Sequence, residues 1–342
     1  MKGSHILFDR LNGREAAARL LDGRLDDLLI DPPEDRIRPG AIYRAKAGRP
    51  MKGQGGMILE TPDGPLFLRQ SKGIAQGETV FAQVSTYAEP GKAAPATLQL
   101  LLKSRYALLT PGAEGRNLSK AIRDEERRVE LQEIVSGISL PDGVGLVVRT
   151  AAEGADDDAV ADDLAALADL AGPLLSEPRS GPVEKLLEGP SASELALRDW
   201  PEPDVFDEAP GSFERAGADE MIEALSDAEV RFAEGSIFVE ATRALVAVDV
   251  NTGGRTGAAA GLSANIAALR TLPRALRLRG LGGQVVVDMA PMAKRDRKRV
   301  EDTAKSVFRQ DGIETSLVGW TPLGHMEFLR KRERLPLSEA LQ

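Results

Sequence analysis

The sequence predicts an α/β protein of several domains, one of them a small β-barrel. Three observations carry this. The chain has 342 residues, 42% of them hydrophobic, enough for more than one core. Residues 37–102 break into short alternating runs at about ten-residue spacing. From Glu229 onward, apolar strand-like runs alternate with amphipathic helical stretches.

Taken in order, residues 1–34 read as a strand (HILFDRL), a short helix (REAAARLLDG) and a second strand (RLDDLLID). Five runs follow: AIYRAKAG, GGMILETPDG, PLFLRQ, ETVFAQVST and ATLQLLLK. Turns such as TPDG and EPGK separate them, and five strands of this length suit an oligonucleotide-binding type of barrel. KGQGG, residues 52–56, lacks phosphate-loop spacing and reads as a hairpin turn. Residues 103–176 hold a charged helix (SKAIRDEERRVELQEIV), a strand (VGLVVRT) and a second helix (DDAVADDLAALADLAGPLLS). Leu164, Leu167, Leu170 and Leu174 are expected on one face of that second helix. Residues 177–225, rich in Pro, Gly and acids, read as a connector with short elements.

Beyond it, SIFVEATRALVAVDVN reads as a hairpin turning near residues 241–243. LSANIAALRTLPRALRLRG reads as a helix kinked by Pro273 and ending at Gly280. GGQVVVDM and TSLVGW read as strands flanking the helix KRDRKRVEDTAKSVFRQ, with Val300, Ala304, Val307 and Phe308 inward. Strand–helix alternation implies parallel neighbours.

Composition excludes several chemistries. There is no cysteine, so disulfides, thiolate nucleophiles and Cys-based zinc sites are absent. His5 and His325 are the only histidines and lie far apart in the sequence, so HExxH zinc sites are absent. Neither a long apolar run nor a signal-peptide pattern is present, so the expected location is the cytoplasm, with no membrane partner. The net charge is −9, but residues 153–208 hold 16 acidic against 3 basic side chains, which leaves the remainder mildly basic.

The candidate site rests on two apolar runs that end in carboxylates. ALVAVDVNTGG delivers Asp249 and Asn251, and GGQVVVDM delivers Asp288. At the carboxyl ends of adjacent strands, two aspartates suit Mg2+, with Mn2+ as a substitute, because hard cations take oxygen ligands. The competing reading has each aspartate capping the turn that follows. Arg149-Thr150, ending another apolar strand, offers a guanidinium fork and a hydroxyl suited to a terminal phosphate, or a plain surface pair. Phe67, Met57 and Lys92 could form a stacking and phosphate-contacting face; core Phe and solvated Lys is the other reading. MEFLRKRER places Arg330, Lys331, Arg332 and Arg334 either toward phosphates or on a solvated helix face.

ALVAVDVNTGG, LRLRGLGGQVVVDM and LGHMEFLRKR, in this order, resemble the catalytic core of the ribonuclease E/G family. GLVVRTA resembles its 5′-sensor strand, and MKGSHILFDR with GAIYRAKAG resemble its start and S1 barrel. The resemblance implies an RNase H-like part (1–36 and 181–225), an S1 barrel (37–102), a 5′-sensor subdomain (103–180) and a deoxyribonuclease I-like catalytic subdomain (226–342). It further implies Mg2+-dependent endonucleolytic cleavage of single-stranded RNA, favoured by a 5′-monophosphate, leaving 5′-phosphate and 3′-hydroxyl ends. In that frame Asp249 and Asp288 bind the metal and Asn251 supports them. Arg149 and Thr150 grip the 5′-phosphate beside Leu108; Phe67 and Met57 face RNA bases and Lys92 the backbone.

Some positions depart from the family pattern. Pro291 stands where a second Asp is expected after Asp288, and Pro322 where an Arg is expected. Met57 replaces an aromatic, and the zinc-binding Cys pair is missing. A zinc-joined dimer is therefore not expected; the expectation is a monomer or a zinc-independent homodimer. The departures also motivate two other readings: an RNA-binding protein that cleaves weakly or not at all, and a metal phosphohydrolase of small nucleotides.

Overall fold

The structure, a computed structural model, describes residues 2–51 and 55–342. The KGQGG turn therefore lies partly outside the described residues. The chain forms two compact units, one from residues 1–33 and 203–342, the other from residues 34–202.

The chain opens with three antiparallel strands, β1 (Ser4–Leu11), β2 (Arg14–Leu21) and β3 (Arg24–Ile30). The helix expected over residues 14–23 is thus a strand. Two-residue turns decide it: Asn12-Gly13 and Asp22-Gly23 all have positive φ, the backbone of tight primed hairpins. Ala16, Ala17 and Ala18 are then fully buried in the middle strand rather than wound into a helix.

In the second unit, β4 (Ile42–Pro50), β5 (Met57–Glu60), β6 (Leu66–Leu68), β7 (Thr79–Val84) and β8 (Ala94–Thr97) close into a barrel. The order is β4-β5-β6-β8-β7, with β7 pairing back to β4. Tyr43, Ala45, Met57, Leu59, Leu66, Leu68 and Ala82 fill it. The fifth strand lies earlier than the run ATLQLLLK predicts. Leu102–Lys103 forms a separate short strand, β9, which pairs with β10 (Ala107–Pro111) instead.

A second sheet of this unit, ordered β11-β12-β10-β9, adds β11 (Arg116–Leu118) and β12 (Val144–Val148). The helices α1 (Glu125–Gly137) and α2 (Asp157–Ser176) pack into its core. Asp124 and Asp156 cap their first turns. On α2 the buried stripe runs through Val160, Leu164, Leu167, Ala171 and Leu174, and Leu170 falls beside it, 46% exposed. The unit ends with β13 (Glu184–Leu187), added to β4, and α3 (Ala192–Asp199), opened by a Ser191/Glu194 capping box.

The first unit resumes with β14 (Val205–Asp207), parallel to β1, followed by α4 (Ser212–Ala216) and α5 (Ala218–Glu223). Next come β15 (Glu229–Phe232), β16 (Gly235–Ala241), β17 (Val246–Asn251), α6 (Ala258–Leu278), β18 (Gly283–Asp288), α7 (Arg297–Gln310), β19 (Thr315–Trp320), β20 (Met326–Arg330) and the terminal turn α8 (Leu337–Ala340). Six strands form one sheet in the order β15-β16-β17-β18-β20-β19. The expected hairpin β16–β17 is present, and β17–α6–β18 is a parallel crossover. Parallel pairing stops there, because β20 inserts antiparallel between β18 and β19.

Helices α6 and α7 cover one face of this sheet. Val246, Val248, Val250, Val285, Val287, Met326 and Phe328 point into the resulting core, with Ala264, Ala268, Leu269, Leu272, Val300, Ala304 and Phe308 opposite. Strand alternation sends Asp249, Asn251 and Asp288 to the other, exposed face. Pro273 sits buried inside α6, which continues to Leu278.

Candidate active site and nucleic-acid-facing residues

Parallel pairing of β17 and β18 places Asp249 directly beside Asp288. Like charges side by side on one sheet face repel, which costs stability unless something positive lies between them. Among the described residues no Lys or Arg does so: each carboxylate instead has one N–H group beside it. Asn251 Nδ2 donates to Asp249 Oδ2 at 2.7 Å. His325 Nδ1 lies 3.1 Å from Asp288 Oδ1. The second oxygen of each aspartate has no hydrogen-bond partner among the described residues. Two anionic oxygens thus stay free on adjacent strand ends, a donor set that fits a hard divalent cation which keeps most of its waters.

The loops holding these residues are fixed from below. Buried Asn265 on α6 acts as a peptide mimic: its Nδ2 donates to Ala290 O and its Oδ1 accepts from Ala290 N, both at 2.9 Å. One turn earlier, a Cβ on Gly261 would meet the Pro291 carbonyl at 2.0 Å, so only glycine lets the helix come this close. Pro291, at the position where the resemblance expects an Asp, therefore belongs to a clamped loop. On the other strand, a Cβ on Gly235 would lie 1.9 Å from Asn251 O, so the hairpin closes only with glycine there.

The sequence reading gave no role to Asn265 or His325. Their partners lie 25 and 37 residues away, a distance no local pattern spans.

Arg149 follows β12, and its backbone N–H donates to Tyr106 O at 2.7 Å. Its guanidinium reaches Ser104 O at 2.5 Å, Arg105 O at 3.1 Å and Asp199 Oδ1 at 2.9 Å. Asp199 also pairs with Lys103 Nζ and Arg198 Nη2, both at 2.8 Å. Burial alone would raise the Asp199 carboxyl, but the cations of Arg198 and Lys103 hold it well below the usual carboxylate range. Thr150 is exposed, its hydroxyl 3.0 Å from Ser119 Oγ. Leu108, half-buried, sits opposite Val147 on the neighbouring strand. The structure thus brings Leu108, Arg149 and Thr150 together along β10 and β12. It adds Lys103, Ser119 and Asp199, which the sequence did not single out.

In the barrel, Phe67 and Met57 part company. Phe67 faces outward between Ile58 and Pro95, whereas Met57 is fully buried in the interior. The face expected to combine them is not formed, because successive residues of paired strands alternate sides. Lys92 is exposed and 2.9 Å from Glu89.

Near the chain's end, MEFLR is strand β20 and KRER an irregular segment after it, rather than a helix face. Arg330 is 1% exposed, with Nη1 2.6 Å from Asp311 Oδ2 in an ion contact not aligned as a hydrogen bond. It faces the interior and is withdrawn from the nucleic-acid-facing set. Arg334 is engaged with Asp27, and Arg332 lies against Gly283. Lys331 remains exposed, 2.9 Å from Glu333.

Comparison with known proteins places the chain. The model of the ribonuclease E/G family matches residues 101–208 and 204–333. The chain is 27% identical over 306 residues to Ribonuclease G of Salmonella typhimurium (strain SL1344), covering 78% of this chain and 62% of that protein. It is 27% identical over 396 residues to Ribonuclease E of Haemophilus influenzae, covering 98% of this chain and 42% of that protein. With Ribonuclease E of Nostoc sp. (strain PCC 7120) it shares 29% identity over 325 residues, 47% of that protein. The chain therefore spans less than two thirds of the length of each of these relatives. On the family match and the order of its motifs, it belongs to the ribonuclease E/G family.

Proposed function

We propose that this chain is an endoribonuclease that cleaves single-stranded RNA with a divalent cation, Mg2+ or in its place Mn2+, held by Asp249 and Asp288. The observation that carries this reading is the side-by-side register of the two aspartates, each with one oxygen beside an N–H group and one left free among the described residues. The names of the relatives, Ribonuclease E and Ribonuclease G, support it.

A bound cation would supply Lewis-acid stabilisation at the phosphate and a more acidic water as nucleophile. The residues of the chain do the rest. Asp249 and Asp288 supply the negative charge, and Asn251 fixes the rotamer of Asp249 through its N–H. Asn265 and Gly261 keep the loop after Asp288 in place, so the carboxylate does not drift with it.

The sensor role belongs to Arg149, Thr150 and Leu108: the exposed Thr150 hydroxyl, paired with Ser119, offers a donor to a 5′-monophosphate, and the Arg149 guanidinium would exchange Asp199 for it. Outward-facing Phe67 stacks on bases and Lys92 and Lys331 meet phosphates. In this reading residues 37–102 are the S1 barrel, 103–180 the 5′-sensor, 226–342 the deoxyribonuclease I-like catalytic subdomain, and 1–36 with 181–225 the RNase H-like part. The protein acts in the cytoplasm, as a monomer or a homodimer without zinc.

The test is incubation of a 5′-monophosphorylated single-stranded oligoribonucleotide with the protein in Mg2+ or in excess chelator. The expected result is cleavage in Mg2+ only, with RNA still retained in chelator. Retention without cleavage in both conditions would instead make the chain an RNA-binding protein on a nuclease frame, the reading that Pro291 and Pro322 favour.

A further inference from the structure

We propose that His325 is a positioning residue of the metal site, holding one oxygen of Asp288 so that the other is aimed at the cation. The inference rests on the reading of Asp249 and Asp288 as metal ligands. Asp288 ends its strand with a side chain 63% exposed, so nothing packs it into one rotamer. Among the described residues, only the 3.1 Å contact from His325 Nδ1 restrains it. A carboxylate can only accept, so the hydrogen of this contact sits on Nδ1. Asn251 does the same for Asp249, and the two N–H donors restrain the two aspartates in parallel.

His325 can act this way because its own backbone is braced. Thr321-Pro322-Leu323-Gly324 is a tight turn in which Gly324 N donates to Thr321 O at 3.0 Å. Pro322 occupies the second position, where its fixed φ favours the turn, and Gly324 takes a φ of +96°. Thr321 then grips His325 twice: its Oγ1 accepts from His325 N at 3.1 Å and its N donates to His325 O at 2.9 Å. Beneath the turn, Arg297 stacks on Trp320 at 4.6 Å, and Trp320 Nε1 donates to Glu301 at 2.8 Å. Pro322, a departure from the family pattern, thus shapes the turn that presents the histidine.

Direct ligation by His325 is not the role assigned. Among the described residues no three His, Asp or Glu side chains converge on one point, and Nδ1 is already committed to Asp288. Outer-shell partners of this kind typically change metal affinity by about 10–100-fold, and an exposed site belongs at the low end.

The experiment is titration of the protein with Mn2+, reading free Mn2+ by electron paramagnetic resonance, for the native chain, D288N, H325A, H325L and H325N. Native protein is expected to bind, D288N to lose binding, and H325A and H325L to weaken it about tenfold. In H325N the amide Nδ2 can take the place of Nδ1, and affinity should return to near the native value. Native-like binding by H325L would overturn the proposal while leaving the metal site standing, provided that D288N still fails. Equal weakening in H325N would overturn the assignment to an N–H donor. No Mn2+ binding by the native chain would remove the metal reading itself, and the proposal with it.

Discussion

Single residues around Asp249 and Asp288 show what a local sequence window misses. The carboxylates are legible because each ends an apolar run, a pattern only a few residues long. Their supports are not. Asn265 looks like any polar residue on a helix until the fold brings Ala290 against it, and Ser119 and Lys103 join the Arg149 region through distant pairings. Met57 illustrates the converse: the sequence does not reveal which side of a barrel strand a residue takes until the register is known. The Asn265 clamp has a measurable weight. Replacing Asn265 with Ala strands a buried N–H and a buried carbonyl, and should lower unfolding free energy by about 1–3 kcal/mol. Chemical denaturation of the variant would measure this, and native-like stability would mean that Ala290 finds other partners.

At the level of elements, the β16–β17 hairpin and the β17–α6–β18 crossover are legible in the sequence, whereas the first two hairpins and the neighbour of β18 are not. Asn12-Gly13 and Asp22-Gly23 are strong turn signals, yet the alanine run between them favours a helix, and burial in a sheet overrides that propensity. Ion pairs decide a second case. β3, α6 and the segment after β20 are joined through Asp27, which accepts from Arg334 Nη2 at 3.0 Å and lies 3.3 Å from Arg277 Nε. Basic residues near the chain's end that read as an RNA surface thus include structural ones. Substituting Asp27 with Ala leaves the part-buried Arg334 guanidinium without its carboxylate, while Arg277 keeps Asp26 and Asp311, and should cost about 3 kcal/mol. Burial would raise the Asp27 carboxyl, but Arg334 and Arg277 hold it below its ordinary value. A depressed carboxylate contributes stability above its unfolded pKa, about 3.9, and that contribution is lost as pH falls below it. Denaturation midpoints measured from pH 6 down to pH 3 should therefore fall less steeply in the Asp27→Ala variant than in the native chain. Equal slopes would contradict the assignment.

For the whole molecule, the sequence reading holds at the coarse level: mixed α/β architecture, a closed five-stranded barrel and membership of the ribonuclease E/G family. It failed where long-range pairing decides, as in the insertion of β20 between β18 and β19. That insertion also delivers His325 to Asp288. The proposed chemistry depends on two aspartates placed side by side by one parallel crossover. The most direct measurement is the rate of Mg2+-dependent cleavage of a 5′-monophosphorylated single-stranded oligoribonucleotide by Asp249→Asn against the native chain. Losing one ligand of a site worth several kcal/mol should slow cleavage by about a hundredfold or more, with folding intact. Cleavage by Asp249→Asn at the native rate would contradict the account.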